Sequence, residues 1–427
     1  MTDAERIQRT YVVLMFLETA AASLIWGVNT LFLLDAGLSL TGSFVANAAF
    51  SAGMVLFEVP TGMVADAFGR RRSYLLGAAT LLISTALYLL LWRVEAGLVW
   101  WVLVSPALGL GFTFFSGATE AWLVDALKAA GYKGTLESVL ARGQVAFGAA
   151  MLLGTVGGGL LGQVSLGLPY LVRSAMLLVL LGAALVWMHD RGFTPRRDVA
   201  LGKRLRAIAR ASLEHGWGNR PVRLLALSGF FYGGATIWIF YAFQPYVLEL
   251  FGDRDAIWLA GVSAAAFSSA QMVGGAVVGR VRHRFASRSG VIVGALALSA
   301  VALVAVGAAA WMPVRAGFYV AVAALLLLSL LYALMEPFRA ALLNDLIPSD
   351  QRATILSFDS LAASAGGAVI QPTLGKSADV WGLGVGYLMS AGLFGLGVPF
   401  LVAARRMELD ADRVPTNEPA PTPRARS

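Results

Sequence analysis

The sequence predicts an all-α integral membrane protein with twelve transmembrane helices, arranged as two pseudo-symmetric six-helix bundles. Three observations predict it. Of 427 residues, 58% are hydrophobic and 14% charged, with a mean hydropathy of +0.72, a balance that a water-facing surface does not tolerate. Apolar windows of about 20 residues, the length that crosses a bilayer, recur twelve times. The charges gather in the gaps between those windows, so the net charge of +8 and pI near 9.9 read as topology signals rather than as a nucleic-acid surface.

Taken in order, the spans are expected at 11–34, 42–65, 73–92, 98–121, 138–162, 169–188, 224–250, 256–279, 290–312, 317–337, 353–374 and 383–404. An even number puts both termini on one side. Alternate gaps on that side hold 28 of the 33 lysines and arginines, and the other gaps hold Arg93, Arg173, Arg254, Arg315 and Lys376. Both termini are therefore expected in the cytoplasm, with the chain in a bacterial inner membrane. The first apolar run is too long for a cleavable signal peptide and is expected to stay. With no cysteine, disulfides and thiolate metal sites are excluded.

The longest gap divides the chain. Residues 1–188 form an N-terminal bundle, 189–223 a cytoplasmic linker, 224–404 a C-terminal bundle and 405–427 a proline-rich tail expected to be disordered. Within the linker, "ALGKRLRAIARASLEHGW" sets Leu201, Leu205, Ile208 and Trp217 near one helical face and Lys203, Arg204, Arg206 and Arg210 on others. That is the pattern of a helix lying on an anionic membrane surface, with a solvated basic linker as the alternative.

The halves echo each other. "EAWLVDALKAAGYKGTLESVLARG" from Glu120 and "EPFRAALLNDLIPSDQRATILSFDS" from Glu336 each give an acid, a second acid (Asp125, Asp345), a short turn and then a small-residue helix. Internal symmetry of this kind marks secondary transporters built from repeats. Between spans two and three stands "PTGMVADAFGRRRSYLLG". It resembles motif A of the major facilitator superfamily, matching at Gly62, Asp66, Gly69, Arg70 and Arg71, with Ala67 where a basic residue is usual. The resemblance covers residues 8 to 406. It implies a rocking pair of bundles and a role for Asp66 as a latch that engages the neighbouring bundle in one conformation. Physically, Gly62 lets helices approach closely, Gly69 supplies a turn, and Arg70 to Arg72 anchor the loop among lipid phosphates. A purely topogenic loop explains the arginines but not Asp66. "VVGRVRHRFASR", between spans eight and nine, keeps the basic residues without the aspartate. In span five, Gly154, Gly158 and Gly159 of "GTVGGGLLG" resemble the antiporter motif of exporting family members, with Thr155 in place of the characteristic proline, and close helix packing explains them equally.

Charges inside the bilayer cost at least ~2.5–3.5 kcal/mol and are functional candidates by default. Glu18 shares a helical face with Asn29, and Asn47 with Glu58, so these four are expected to line one cavity. Thr113, Ser116 and Glu120 form a stripe in span four, and Glu336 stands one turn from Arg339 in span ten. Static alternatives are a structural cap at Glu58 and ion pairs of Glu336 with Arg339 and of Glu120 or Asp125 with Arg142. In span seven, Tyr241 and Gln244 share a face that faces either a ligand or the lipid.

The expected function is secondary active transport of a small molecule by alternating access, coupled to protons, by a monomer needing no cofactor, metal or nucleic acid. No GxxxxGK[ST] loop is present to bind ATP, and the three histidines fall in loops, which argues against an enzyme. An acidic, amide-bearing cavity with Arg142, Arg173 and Arg339 near helix ends favours efflux of lipophilic cationic or neutral drug-like compounds. Uptake of a sugar or other small metabolite is the alternative.

Overall fold

The computed structural model describes residues 2–195, 202–203, 206, 210, 212–347 and 352–414. Two of the expected spans are broken. Span one is α1 (Asp3–Trp26) followed by α2 (Asn29–Asp35), and span four is α5 (Leu98–Thr113) followed by α6 (Ala118–Ala129). The first break has a cause outside its own helix. Gln244 inserts its amide into the ladder, donating to the Trp26 carbonyl at 2.8 Å and accepting from the Thr30 N–H at 2.7 Å. At the second, Gly117 adopts a left-handed φ of 66°. These breaks overturn two face arguments, because Glu18 and Asn29 no longer lie on one continuous helix, nor do Thr113 and Glu120.

The remaining helices follow the predicted order: α3 (Leu40–Phe68), α4 (Arg70–Arg93), α7 (Leu136–Val164), α8 (Leu168–Trp187), α9 (Arg220–Phe251), α10 (Ile257–Val281), α11 (Arg288–Ala308), α12 (Val314–Asp345), α13 (Arg352–Trp381) and α14 (Leu383–Arg405). Eleven segments of the described chain are long and apolar enough to cross a membrane. The exception is α13, which is rich in Ala, Gly and Ser. It packs against both α9 and α3, and helix-facing sides need small residues more than large apolar ones. Elsewhere, side chains such as Ile83, Leu103, Val145, Leu178 and Val301 stand exposed, forming the apolar outer faces of a multi-pass membrane protein.

Two aromatic cores hold the bundles. One, built on α1–α8, includes Tyr11, Phe32, Trp101 and Tyr170. The other, built on α9–α14, includes Trp238, Tyr246, Phe338 and Tyr387, and reaches α3 through Phe44.

At the end carrying the termini, each bundle caps its third helix from beyond its last. Asp190, after α8, accepts from the Arg71 N–H of α4 at 2.9 Å. Asp412, after α14, accepts from the Ser289 N–H and hydroxyl of α11, each at 2.6 Å. In both cases the capped residue is the second of its helix. The tail expected from 405 is thus folded against the bundle through Val414, whose N–H donates to the Ala286 carbonyl, and 415–427 lie outside the described residues. Most of the expected amphipathic linker helix, including Leu201, Leu205 and Ile208, also lies outside them.

Candidate functional site

A cavity of about 440 Å³ sits at mid-depth between the bundles. Its walls are mainly aromatic and apolar, with Trp26 and Phe50 from one bundle and Phe240, Tyr241, Phe267 and Tyr332 from the other. Among the described residues no Asp, Glu, Lys, Arg or His lines it. The expectation was an acidic, amide-bearing cavity; of the eight residues named for it, Tyr241 lines this one, and the amide among its described lining residues is Gln271.

The structure places the other seven as follows. Asn29 and Asn47 do meet, the Asn29 amide donating to Asn47 Oδ1 at 2.9 Å, but within the N-terminal core, where Tyr170 also donates to Asn29 Oδ1 at 2.9 Å. Gln244 is fully buried at the break between α1 and α2. Glu18 is half-buried and accepts from the Tyr74 hydroxyl at 3.1 Å, and it forms no ion pair among the described residues. Glu58 is exposed and accepts from the Ser116 hydroxyl at 2.7 Å. Glu120 is exposed on α6. Glu336 accepts from the Tyr232 hydroxyl at 3.5 Å.

Arginine placement differs most from expectation. Arg339 pairs not with Glu336 one turn away but with Asp359 of α13, through two parallel bonds of 2.7 and 2.5 Å, both side chains being about 90% buried. Arg142 donates to Gln8 at 3.3 Å, and no ion pair links it to Glu120 or Asp125 among the described residues. Arg173, expected to snorkel at a helix end, is fully buried in the N-terminal bundle. It donates to Thr85 Oγ1 at 3.1 Å and to the Ala21 carbonyl at 2.8 Å, its guanidinium lies 5.7 Å from the Phe112 ring centre, and its Nη2 has no partner. Asp359 was legible by the rule that singled out Glu18, an acid within an apolar span. Assigning Arg339 to its nearest acid in sequence hid it.

The motif A segment is a one-residue turn. Gly69 separates α3 from α4 with a φ of 107°, and a Cβ there would collide with the Asp190 carboxylate. Asp66 pairs with Arg70 at 2.9 Å, and Arg71 donates to the Leu185 carbonyl at 2.7 Å. Gly62 has no neighbour within 4 Å of an added Cβ, so the close approach expected there is not used in this arrangement. The glycines of α7 are used. Gly154 and Gly158 abut Ser23 and Leu24 of α1, and a Cβ on Gly159 would lie 2.8 Å from Gly261 Cα of α10, across the bundle interface.

The bundles are fastened at one end. Besides Gln244, Thr30 donates to the Tyr241 carbonyl at 2.9 Å. The Asp379 carboxylate of α13 accepts from the Leu40 N–H at 3.0 Å, the Thr41 N–H at 2.9 Å and the Thr41 hydroxyl, at the start of α3. In the other bundle Gln163 of α7 donates to the Asp255 carbonyl at 2.8 Å and accepts from the Trp258 N–H at 3.1 Å, at the start of α10. Apart from a mid-depth contact of Gln371 with Ser51 at 3.4 Å, these side-chain bonds between the bundles all lie toward the end remote from the termini. At the terminus end, among the described residues, no side-chain hydrogen bond or ion pair joins them.

Residues 11–312 match the family model described as Major Facilitator Superfamily. The chain belongs to the major facilitator superfamily. Its fold is shared with a single-residue mutant of the nucleoside transporter NupG, at a TM-score of 0.77 and 12% identity over 93% of this chain and 99% of that one. A mutant peptide transporter POT in complex with sulfate aligns at 0.73 and 12%, over 95% of each chain. A D-xylose–proton symporter aligns at 0.67 and 17%, over 93% and 96%. A search of curated proteins finds no match. Membership makes this chain a membrane transporter rather than an enzyme.

Proposed function

We propose that this transporter works by alternating access and exports lipophilic cationic or neutral drug-like solutes in exchange for protons, as a monomer in a bacterial inner membrane with both termini cytoplasmic. The observation that carries the reading is the aromatic cavity at mid-depth, without a charged side chain among its described lining residues, between bundles whose fastenings among the described residues lie toward the end remote from the termini. Such walls hold apolar solutes by burial and cations by their ring faces. An anion meets no countercharge among the described lining residues.

Glu18 is the proposed proton carrier. An acid held in an ion pair is pinned in its charged form, whereas Glu18 has a phenol as its hydrogen-bond partner, so its charge follows how well water reaches it. Rocking of the bundles changes that access. Asp66, paired with Arg70 here, acts as the latch by engaging the neighbouring bundle in one conformation of the cycle.

Reconstituted Glu18→Gln protein should lose gradient-driven transport of ethidium while retaining ethidium counterflow. Wild-type-like accumulation against a gradient would remove Glu18 from the coupling role. The second reading is uptake of a small neutral metabolite, favoured by the hydroxyl groups of the cavity and by the fold shared with nucleoside and xylose transporters. Cells expressing the protein that retain as much ethidium as controls, and take up more labelled nucleoside or sugar, would establish that reading instead.

A further inference from the structure

The polar groups of the cavity are not evenly split between donors and acceptors. A hydroxyl has one hydrogen and two lone pairs. Four cavity hydroxyls, one from each of α7, α9, α10 and α12, direct that hydrogen to the carbonyl four residues earlier in their own helix. Thr155 donates to Met151 at 2.8 Å, Thr236 to Tyr232 at 2.7 Å, Ser268 to Ala264 at 2.8 Å and Ser329 to Leu325 at 2.9 Å. What each has left for a solute is lone pairs. To donate instead, the hydroxyl must give up that bond, although the carbonyl keeps its helical N–H partner.

Ser51 of α3 likewise donates to the Asn47 carbonyl at 3.1 Å. Against these five acceptors stands, among the described lining residues, one group that only donates, the indole of Trp26, while the amide of Gln271, the phenols of Tyr241 and Tyr332 and the hydroxyls of Ser299 and Ser364 work either way. Among the described residues no cationic side chain lines the space. Resting on the reading of this cavity as the substrate site, we propose that it selects non-anionic aromatic or amphiphilic solutes bearing N–H or O–H donors, and discriminates against their N-alkylated counterparts. The aromatic walls take the apolar body, and the ring of acceptors reads its donors. A buried donor site without its matching group is strongly disfavoured on either partner, so selectivity of this kind exceeds what an added methyl achieves by size alone.

Matched probes test it. Rhodamine 123 carries amino N–H groups where tetramethylrhodamine methyl ester, built on the same ring system, carries dimethylamino groups. N-phenyl-1-naphthylamine and its N-methyl derivative form an uncharged pair. Equilibrium binding to the purified full-length protein, corrected for empty micelles, should favour the N–H member of at least one pair by about tenfold, which is about 1.4 kcal/mol, although the methylated member is the more lipophilic. In the triple variant Thr236→Val, Ser268→Ala, Ser329→Ala the preference should fall below about twofold. That variant should still fold, because each hydroxyl bonds only its own helix. Equal binding of both members of both pairs by the wild type overturns the donor inference and leaves the cavity reading standing. Binding with an N–H preference that survives the triple variant overturns the assignment to these hydroxyls. Failure of all four probes to bind overturns the cavity reading itself, and this inference with it.

Discussion

The two bundles are alike at their ends and unlike in their interiors. Asp190 and Asp412 cap equivalent helices across 119 and 123 residues of chain, and Gln163 and Asp379 fasten equivalent helix starts on the opposite side. Inside, the C-terminal bundle pairs its deep arginine with a carboxylate, Arg339 with Asp359. Among the described residues the N-terminal bundle keeps Arg173 without a carboxylate and Glu18 without a base. Features repeated in both halves are the ones that hold helices in place. Features found in one half mark a division of labour: the C-terminal bundle neutralises its deep arginine, while both bundles hold one membrane acid on a phenol, Glu336 on Tyr232 and Glu18 on Tyr74.

The largest effect that breaks this comparison is expected at the completed pair. Arg339→Ala strands the Asp359 carboxylate in a buried site and should cost about 3–5 kcal/mol, seen as loss of folded protein in the membrane or a collapse of thermal stability in detergent. Replacing both, with Arg339→Met and Asp359→Leu, should recover most of it, because no lone charge remains. A single Arg339→Ala variant as stable as the wild type would show that the pair is wetter than its geometry implies.

How much of this was legible follows from what each signal depends on. Length, apolarity and the arginine bias are local, and they located nearly every helix, α13 included. Helix breaks were not legible, because the α1 break is made by Gln244, more than 200 residues away, and no residue near Trp26 announces it. The face argument that joined Glu18 to Asn29 failed for the same reason, since a break resets which side chains share a face. Motif A was legible as a resemblance and Gly69 as a turn, but the Asp190 carboxylate that occupies the space beside Gly69 is an ordinary loop acid in sequence. The cavity itself was legible only at Tyr241, because its walls are phenylalanines, serines and methionines that no composition rule separates from lipid-facing ones.

A smaller effect sharpens the likeness of the ends. Asp190→Ala and Asp412→Ala each remove a carboxylate from a helix start, a change worth about 0.5–2 kcal/mol. Asp412 is 9% exposed and accepts two bonds, whereas Asp190 is exposed, so Asp412→Ala should lie at the upper end and Asp190→Ala at the lower. Thermal unfolding of the two variants in one detergent measures the order, and a reversed order would mean that the two caps are equivalent in position only.

The smallest effect concerns the one chemical difference between the fastenings, a carboxylate at 379 and an amide at 163. Their partners explain it. Asp379 faces donors only, two N–H groups and a hydroxyl, at a helix start whose partial positive charge favours an anion. Gln163 faces one carbonyl and one N–H, and an ionised acid cannot donate to the former. Each residue therefore suits its own site and not the other's. The chain has no cysteine, so a single cysteine at Ser51 in the cavity wall reports, by its rate of reaction with an impermeant maleimide added on the remote side, how often that end opens. Asp379→Asn should raise the rate about threefold to tenfold, from loss of charge at a helix start worth up to roughly 1 kcal/mol and of a charge-assisted bond. Gln163→Glu should raise it too, although it adds the group found at 379, because the carboxylate meets the Asp255 carbonyl lone pairs. A lowered rate in Gln163→Glu would show that helix-start charge alone governs the fastening and that local donor and acceptor matching does not.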